Sequence, residues 1–168
     1  GVKSIVARYT GLDVKRKVEH FGTCFQYQMS GIDVNHERAE IHVGNNIAPW
    51  GYAWILPKED GVANVGVGVA GGAANPRLLL ERFIRADKRL RKGNIVEINA
   101  GVVPITGPLK HYVSDGCILV GDAARFVNAA TGGGIQFAVY SGHMAAEVLK
   151  DAFDRDNLSV NELKKFEQ

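Results

Sequence analysis

The sequence predicts an α+β protein built on an antiparallel sheet, and three observations carry that prediction. Alternating apolar runs recur between positions 24 and 70 with only short connections between them. One stretch, 76–92, switches to the 3.6-residue period of a helix. A final apolar run, Cys117-Ile118-Leu119-Val120, passes through Gly-Asp and three consecutive glycines into a second helical stretch.

The elements follow in order. Residues 4–9 are apolar but too few to assign. Cys24 to Met29 sets Phe25, Tyr27 and Met29 on one face and Gln26 and Gln28 on the other, a half-buried strand. Ile41 and Val43 mark a second strand. Tyr52 to Leu56 is a third, with Tyr52, Trp54 and Leu56 opposite Ala53 and Ile55. Glu59-Asp60-Gly61 is a turn signal. In the VANVGVGVA that follows, Val65, Val67 and Val69 share a face, while Gly66, Gly68 and Ala70 leave the other nearly bare. Asn75-Pro76 reads as an N-cap and a first-turn proline. Leu79, Leu80, Phe83, Ile84 and Leu90 then form the stripe of a helix stopped at Gly93, with Arg82, Arg85, Lys88, Arg89 and Arg91 on a solvated outer face. Ile95 to Ile105 is one long strand. A helix beginning at Gly133 carries a small-residue face of Ala138, Gly142 and Ala145, and Ser159…Glu162 reads as a capping box opening a last helix.

Composition narrows the function classes. The 168 residues are 46% hydrophobic and 23% charged, enough apolar content to bury a sizeable core. A net charge of +2, with no basic stripe interleaved with aromatics, gives no argument for nucleic acid. No apolar run approaches the ~20 residues of a bilayer span. Cys24 and Cys117 are far apart, with no CxxC and no histidine at ligand spacing, so they read as buried, inert thiols in a reducing cytoplasm and no metal is expected. The ends, GVKS and NELKKFEQ, read as those of a piece from a longer protein.

The stretch GDAARFVNAATGGGIQFA, 121–138, holds the chemistry. Glycine in a helix interior costs about 0.8–1 kcal/mol relative to alanine, so a run of three requires a return. A helix N-terminus after a strand offers free N–H groups and a positive dipole end, and glycine lets a ligand approach the backbone. Asp122 can accept from ligand hydroxyls. Neither GK[ST] nor GxGxxG is present, so this is neither a Walker loop nor a dinucleotide fingerprint. Tight packing alone is the competing explanation of Gly132-Gly133-Gly134.

GDAA, TGGGI and SGHMAAE (141–147) together resemble the second flavin motif of the glutathione-reductase-related flavoproteins, which include the aromatic hydroxylases and the geranylgeranyl reductases. GVKSIVARYTGL is similar to the segment that follows the DG motif of those proteins. YAWILPK, 52–58, resembles the YxWxFPK signature of the geranylgeranyl reductase family, with Leu56 in place of phenylalanine. Asn128-Ala129-Ala130-Thr131 departs from the wider group, which often has a proline there.

The resemblance implies an FAD-dependent oxidoreductase that saturates isoprenoid double bonds, as in archaeal membrane lipids. It implies cofactor contacts from Gly121, Asp122, Gly133, Gly134 and Ile135: the Asp122 carboxylate toward a ribityl hydroxyl, the Gly134 and Ile135 N–H groups toward the flavin pyrimidine edge. Tyr52 and Trp54 become the catalytic residues, lining a prenyl cavity beside the flavin, with the tyrosine hydroxyl placed to assist protonation. The domain reading is a returning segment of the FAD domain at 1–15, a substrate-binding sheet with its helix at 16–110, an FAD-domain segment at 111–150, and the start of a helical region at 151–168. Expected partners are a prenylated lipid or prenyl diphosphate, an external electron donor and a membrane met peripherally from the cytoplasm, with no nucleic acid. The chain by itself is expected to be inactive. Two alternatives stay open: a flavin monooxygenase of the aromatic-hydroxylase type, and a non-catalytic prenyl- or lipid-binding module.

Overall fold

A computed structural model describes residues 1–13, 17–59 and 61–168. The boundary read between residues 15 and 16, and Asp60 of the turn signal, lie outside the described residues. The chain divides into two units: Phe21–Val102, and Gly1–His20 together with Val103–Gln168.

The first of these units is the sheet with its helix. Strands β1 (Phe21–Ser30), β2 (Glu40–Val43), β3 (Gly51–Pro57), β4 (Val62–Ala70) and β5 (Asn94–Pro104) lie in the order β2-β3-β4-β1-β5. Helix α2 (Pro76–Ala86) covers one face, while α1 (Ile5–Tyr9) belongs to the other unit. The β2–β3, β3–β4 and β4–β1 pairs are antiparallel, as the alternating pattern requires. Val65, Val67, Ala53 and Ile55 are fully buried and Val69, Tyr27 and Met29 nearly so; they pack with Leu79, Leu80 and Leu90 into one core. At about 1.5–3 kcal/mol for each large apolar side chain buried, this face holds the sheet to the helix.

Helix α2 opens as read: the Asn75 carboxamide accepts from the N–H groups of Arg77 and Leu78, and Pro76 follows. It ends six residues earlier than its apolar stripe implies. Asp87 turns out of the helix at φ −92°, ψ 118°, because its carboxylate captures the Arg89 N–H at 2.9 Å. Leu90 still reaches the core from the turn beyond. Arg89 is no member of a solvated face either. Its guanidinium grips Glu40 of β2 in a fork, at 2.7 and 2.9 Å, and Asp87 at 2.7 Å.

The second unit is richer in loops. The Ser4 hydroxyl caps α1 by accepting from Ala7 N–H. Strands β6 (Val113–Ser114) and β7 (Cys117–Ile118) make a short ladder, so the apolar run 117–120 is a strand only in its first half. Then come a 3-10 turn at Gly121–Ala123, helix α3 (Ile135–Asp154) and the short α4 (Val160–Leu163). The capping box at Ser159 does not form. Asp115 takes the Val160 N–H, and Glu162 pairs instead with Arg155 and Lys165. Tyr112, Phe126 and Phe166 pack edge to face beneath α3, with centroids 4.9 and 5.6 Å from Tyr112. Among the described residues, no helix is long and apolar enough to cross a membrane.

The Arg89 fork yields a pH dependence. Hydrogen bonds from Arg89 hold the carboxyl groups of both Glu40 and Asp87 below their usual range. A carboxylate whose pKa is lowered on folding adds stability that is present above its unfolded value and lost as the pH falls through the folded one. Arg89 is one-third exposed, so the worth is about 1 kcal/mol. Thermal unfolding followed from pH 6 to pH 3 should therefore lose stability most steeply below about pH 4. Arg89→Met should lower the pH 6 midpoint and flatten the acid slope; an unchanged slope would refute the assignment.

Candidate functional site

In the second unit, the glycine loop stands at the head of α3. Gly134 is the N-cap of a 20-residue helix and supplies no side-chain hydrogen bond to it, so the first N–H groups are uncapped by any side chain. The partly buried Asp122 carboxylate lies against this end, for a β-carbon placed on Gly134 would fall 2.9 Å from Asp122 Oδ1. Among the described residues that carboxylate receives no hydrogen bond. An open acceptor and open donors thus sit side by side. Of the three glycines, Gly132 suits its left-handed φ of 71°, and Gly134 leaves room for the Asp122 carboxylate, which a side chain there would push aside. Gly133 is exposed, and Ile135 projects outward, 86% exposed.

The loop is held from three directions that the sequence did not disclose. Asn128 stands in the stretch where related flavoproteins often carry proline. Its Oδ1 accepts from Ala130 and Thr131, while its N–H donates to the Gly133 carbonyl and its carbonyl accepts from Gly132. Ser141 of α3 accepts from the Gly121 N–H at 3.0 Å and donates to the Phe137 carbonyl, tying the Gly-Asp turn to the helix. Ser141, with Ala145 and Ala152, makes the buried line of α3, and Ala138 abuts Gly121. Gly142 is open to space, so the small-residue face runs through position 141 and not 142. Finally, Arg125 takes a φ of 62° and is buried, donating to Asp13 at 2.8 Å and reaching His20 and Thr106 at 3.2 and 3.4 Å.

In the sheet unit, Tyr52 and Trp54 lie on the face that α2 leaves open. Their neighbours Ala53 and Ile55 occupy the core, while the two rings are half-buried, tilted at 60° with centroids 5.8 Å apart. The register lines up Val43, Tyr52, Gly68 and Cys24 in one row, and Ile41, Trp54, Gly66 and Gln26 in the next. The indole lies over Gly66: a β-carbon there would sit 2.3 Å from Cε2 and Cζ2 of Trp54. The glycines of β4 are therefore the floor of an aromatic platform. Cys24, expected to be buried, is only half-buried and borders this floor, a β-carbon on Gly68 falling 3.1 Å from its Sγ. Burial pushes the Tyr52 hydroxyl and the Cys24 thiol up, so both stay protonated at neutral pH. Gln28 accepts from Lys58 at 3.1 Å, tethering the end of the same signature.

The chain is similar to known proteins in both sequence and fold. Residues 20–103 match the family model of the geranylgeranyl reductase catalytic domain. The whole chain is 40% identical to the digeranylgeranylglycerophospholipid reductase 1 of Methanococcoides burtonii, of which it covers 41%. It is also 40% identical to the digeranylgeranylglycerophospholipid reductase of Methanospirillum hungatei, of which it covers 42%. The chain thus spans about two fifths of the length of these curated relatives. Among solved structures, a geranylgeranyl bacteriochlorophyll reductase-like protein from Thermoplasma acidophilum superposes with a TM-score of 0.94 at 34% identity, over 99% of this chain and 43% of that one. A probable FAD-dependent monooxygenase from Pseudomonas aeruginosa superposes at 0.63 with 20% identity, over 99% and 48%, a likeness of fold alone.

The buried Arg125–Asp13 pair gives a test of what braces the loop. Removing one partner of a buried ion pair strands the other charge and typically costs about 3–5 kcal/mol. Arg125→Met should destabilise the protein by that order in denaturant unfolding. Asp13→Asn in the same background should recover part of the loss, since the stranded charge is gone. A loss below about 1 kcal/mol in the single variant would show that the pair does not brace the loop.

Proposed function

The chain belongs to the geranylgeranyl reductase family, and from that premise we propose that it supplies a cofactor loop and a substrate sheet to an FAD-dependent reductase acting on the isoprenoid double bonds of membrane lipids. The observation that carries the proposal is the placement of Tyr52 and Trp54 on the open sheet face rather than in the core. An ordinary core stripe would have put them under α2 with Ile55 and Leu80.

The residues at the head of α3 fit FAD. Asp122 is an acceptor in want of a donor, suited to a ribityl hydroxyl. The N–H groups of Gly134 and Ile135, at the positive end of α3, suit the pyrimidine edge, where reduced flavin carries negative charge. Gly121 and Gly133 let the backbone come close without a side chain between. Bound FAD supplies the reducing equivalents, replenished by an external electron donor.

Unit Gly1–His20 with Val103–Gln168 takes the cofactor role in this reading, and unit Phe21–Val102 the substrate role. An isolated alkene has no charge to polarise, so positioning provides much of the rate. Ile41, Val43, Tyr52, Trp54 and Leu56 offer a prenyl chain an apolar surface. The Tyr52 hydroxyl, kept protonated by burial, is a proton source on that surface. The substrate is a prenylated lipid or prenyl diphosphate, drawn from a membrane that the protein meets peripherally.

The cofactor assignment is tested by titration. In the natural full-length protein, Asp122→Ala should weaken FAD binding by about 1.5–3 kcal/mol, the worth of a charge-assisted hydrogen bond. That corresponds to roughly 10- to 150-fold in Kd. Gly134→Val should do more harm, since its side chain would displace Asp122 as well as close the backbone. Flavin fluorescence titrations giving wild-type affinity for both variants would remove the loop from the cofactor site.

A further inference from the structure

Trp54 reaches across a whole strand. It belongs to β3, but its indole N–H donates to Oε1 of Gln26 in β1 at 2.9 Å, with β4 lying between them. The crossing is open only because the intervening row position is Gly66: any side chain there would collide with the six-membered ring. Strands are spaced about 4.8 Å apart, so a ring lying flat over one strand brings its far edge to the next. Trp54 is thereby held at both ends, by its own backbone on β3 and by Gln26 on β1. An indole on an open sheet face otherwise has several rotamers available and no reason to lie flat.

We propose that Gln26 is a positioning residue: its carboxamide pins the Trp54 ring over Gly66 and so fixes the shape of the platform that receives the prenyl chain. The role rests on the reductase reading only for what the platform binds; the pinning itself stands on the geometry. Gln26 touches no reacting group. It acts through the ring, by preventing it from rising into the space where an apolar chain is to lie. Its neighbour Gln28 makes the same kind of tether, holding Lys58 at the other end of the Tyr-x-Trp…Pro-Lys signature. Polar residues on a strand face that looks merely solvated are in this sheet the anchors of the aromatic layer.

The test separates pinning from catalysis. The 168-residue chain has two tryptophans, and Trp50 is 83% exposed, so in this chain Trp50→Phe leaves Trp54 as the sole indole reporter. In that background, Gln26→Leu should at least halve the near-ultraviolet circular dichroism of Trp54 and lower its fluorescence anisotropy. Gln26→Glu retains an acceptor and should restore both. Gly66→Ala, which leaves Gln26 in place but lifts the ring, should reproduce the loss. Thermal unfolding run in parallel shows whether each variant is folded; should Gln26→Leu fail to fold, the contrast between Gln26→Glu and Gly66→Ala decides. An unchanged Trp54 signal in Gln26→Leu, or no restoration by Gln26→Glu, overturns the proposal. In the full-length FAD-loaded protein, Gln26→Leu should raise KM for a geranylgeranylated lipid about five- to tenfold, the worth of about one hydrogen bond, with FAD affinity unchanged. A wild-type protein that reduces no prenyl double bond would sink the reductase reading, and the spectroscopic result would still judge the pin.

Discussion

A strand has two faces, and in β4 they are given to opposite tasks. Val65, Val67 and Val69 are buried against α2, while Gly66 and Gly68 face the other way with nothing to bury. The valines hold the sheet to its helix. The glycines lower the opposite surface by one side chain along the middle of the sheet, and into that depression falls the indole of Trp54. Every other feature of the open face depends on this. With a branched residue at position 66 the ring could not cross β4, Gln26 would lose its donor, and Tyr52 would lose the neighbour it leans on. Because the period of a strand is 2, a slip of one residue would send the glycines into the core and the valines onto the platform. The pairing of β4 with β3 and β1 is thus as much a condition of the site as of the fold.

The loop before α3 solves a different problem with the same residue. On the proposed reading the head of α3 receives a ligand; such a terminus must leave its N–H groups unsatisfied by protein, and an unsatisfied terminus is not self-supporting. The bracing is therefore placed beside the terminus instead of on it. Ser141 holds the Gly-Asp turn against the helix, Asn128 laces the loop through its side chain and backbone, and the Arg125–Asp13 pair fixes the turn's far side. Each of these contacts a backbone group or a charge outside the row Gly134–Ile135. The open acceptor of Asp122 survives in the same way: Arg125, three residues on, is committed to Asp13.

What could be read from the sequence was whatever the periodicity controls. The alternation at 24–29, 52–56 and 62–70 predicted the strands and which residues share a face, but a bare Tyr-x-Trp fits a core stripe as well, and the open position of Tyr52 and Trp54 was expected from the family resemblance alone. The capture of chain ends by polar side chains was not legible. Helix α2 continues to 92 by its apolar stripe, yet stops at Ala86 because the Asp87 carboxylate competes for the Arg89 N–H. The box at Ser159 looks complete, yet Asp115, far back in the chain, takes the N–H of Val160. Local spacing says nothing about such distant competitors. For the same reason Arg125 and Asp13, 112 positions apart, gave no signal beyond their charges. Ser141 did carry one: it lies four before Ala145 and three after Ala138, so a stripe drawn through Gly142 was one residue off the buried line.

On the proposed reading, the cofactor loop and the sheet divide the chemistry between them. A loop that offers an acceptor and a helix N-terminus asks only that its ligand have hydroxyls and an electron-rich edge, and it is indifferent to what is being oxidised or reduced nearby. On that reading the choice between a phenol and a prenyl chain falls to the sheet. A phenol hydroxyl bound there would need an unengaged polar partner on the open face. In this chain the polar side chains best placed to serve, Gln26 and Gln28, have their carbonyl oxygens engaged by Trp54 and Lys58. Around them the open face carries the rings of Tyr52 and Trp54, the side chains of Ile41, Val43 and Leu56 and the Gly66 and Gly68 backbone, with the Tyr52 hydroxyl and the Cys24 thiol among them. A surface that turns its carboxamide oxygens to its own aromatic layer and keeps a hydroxyl beside it suits, on the proposed reading, a mainly apolar ligand with one place for a proton to be delivered.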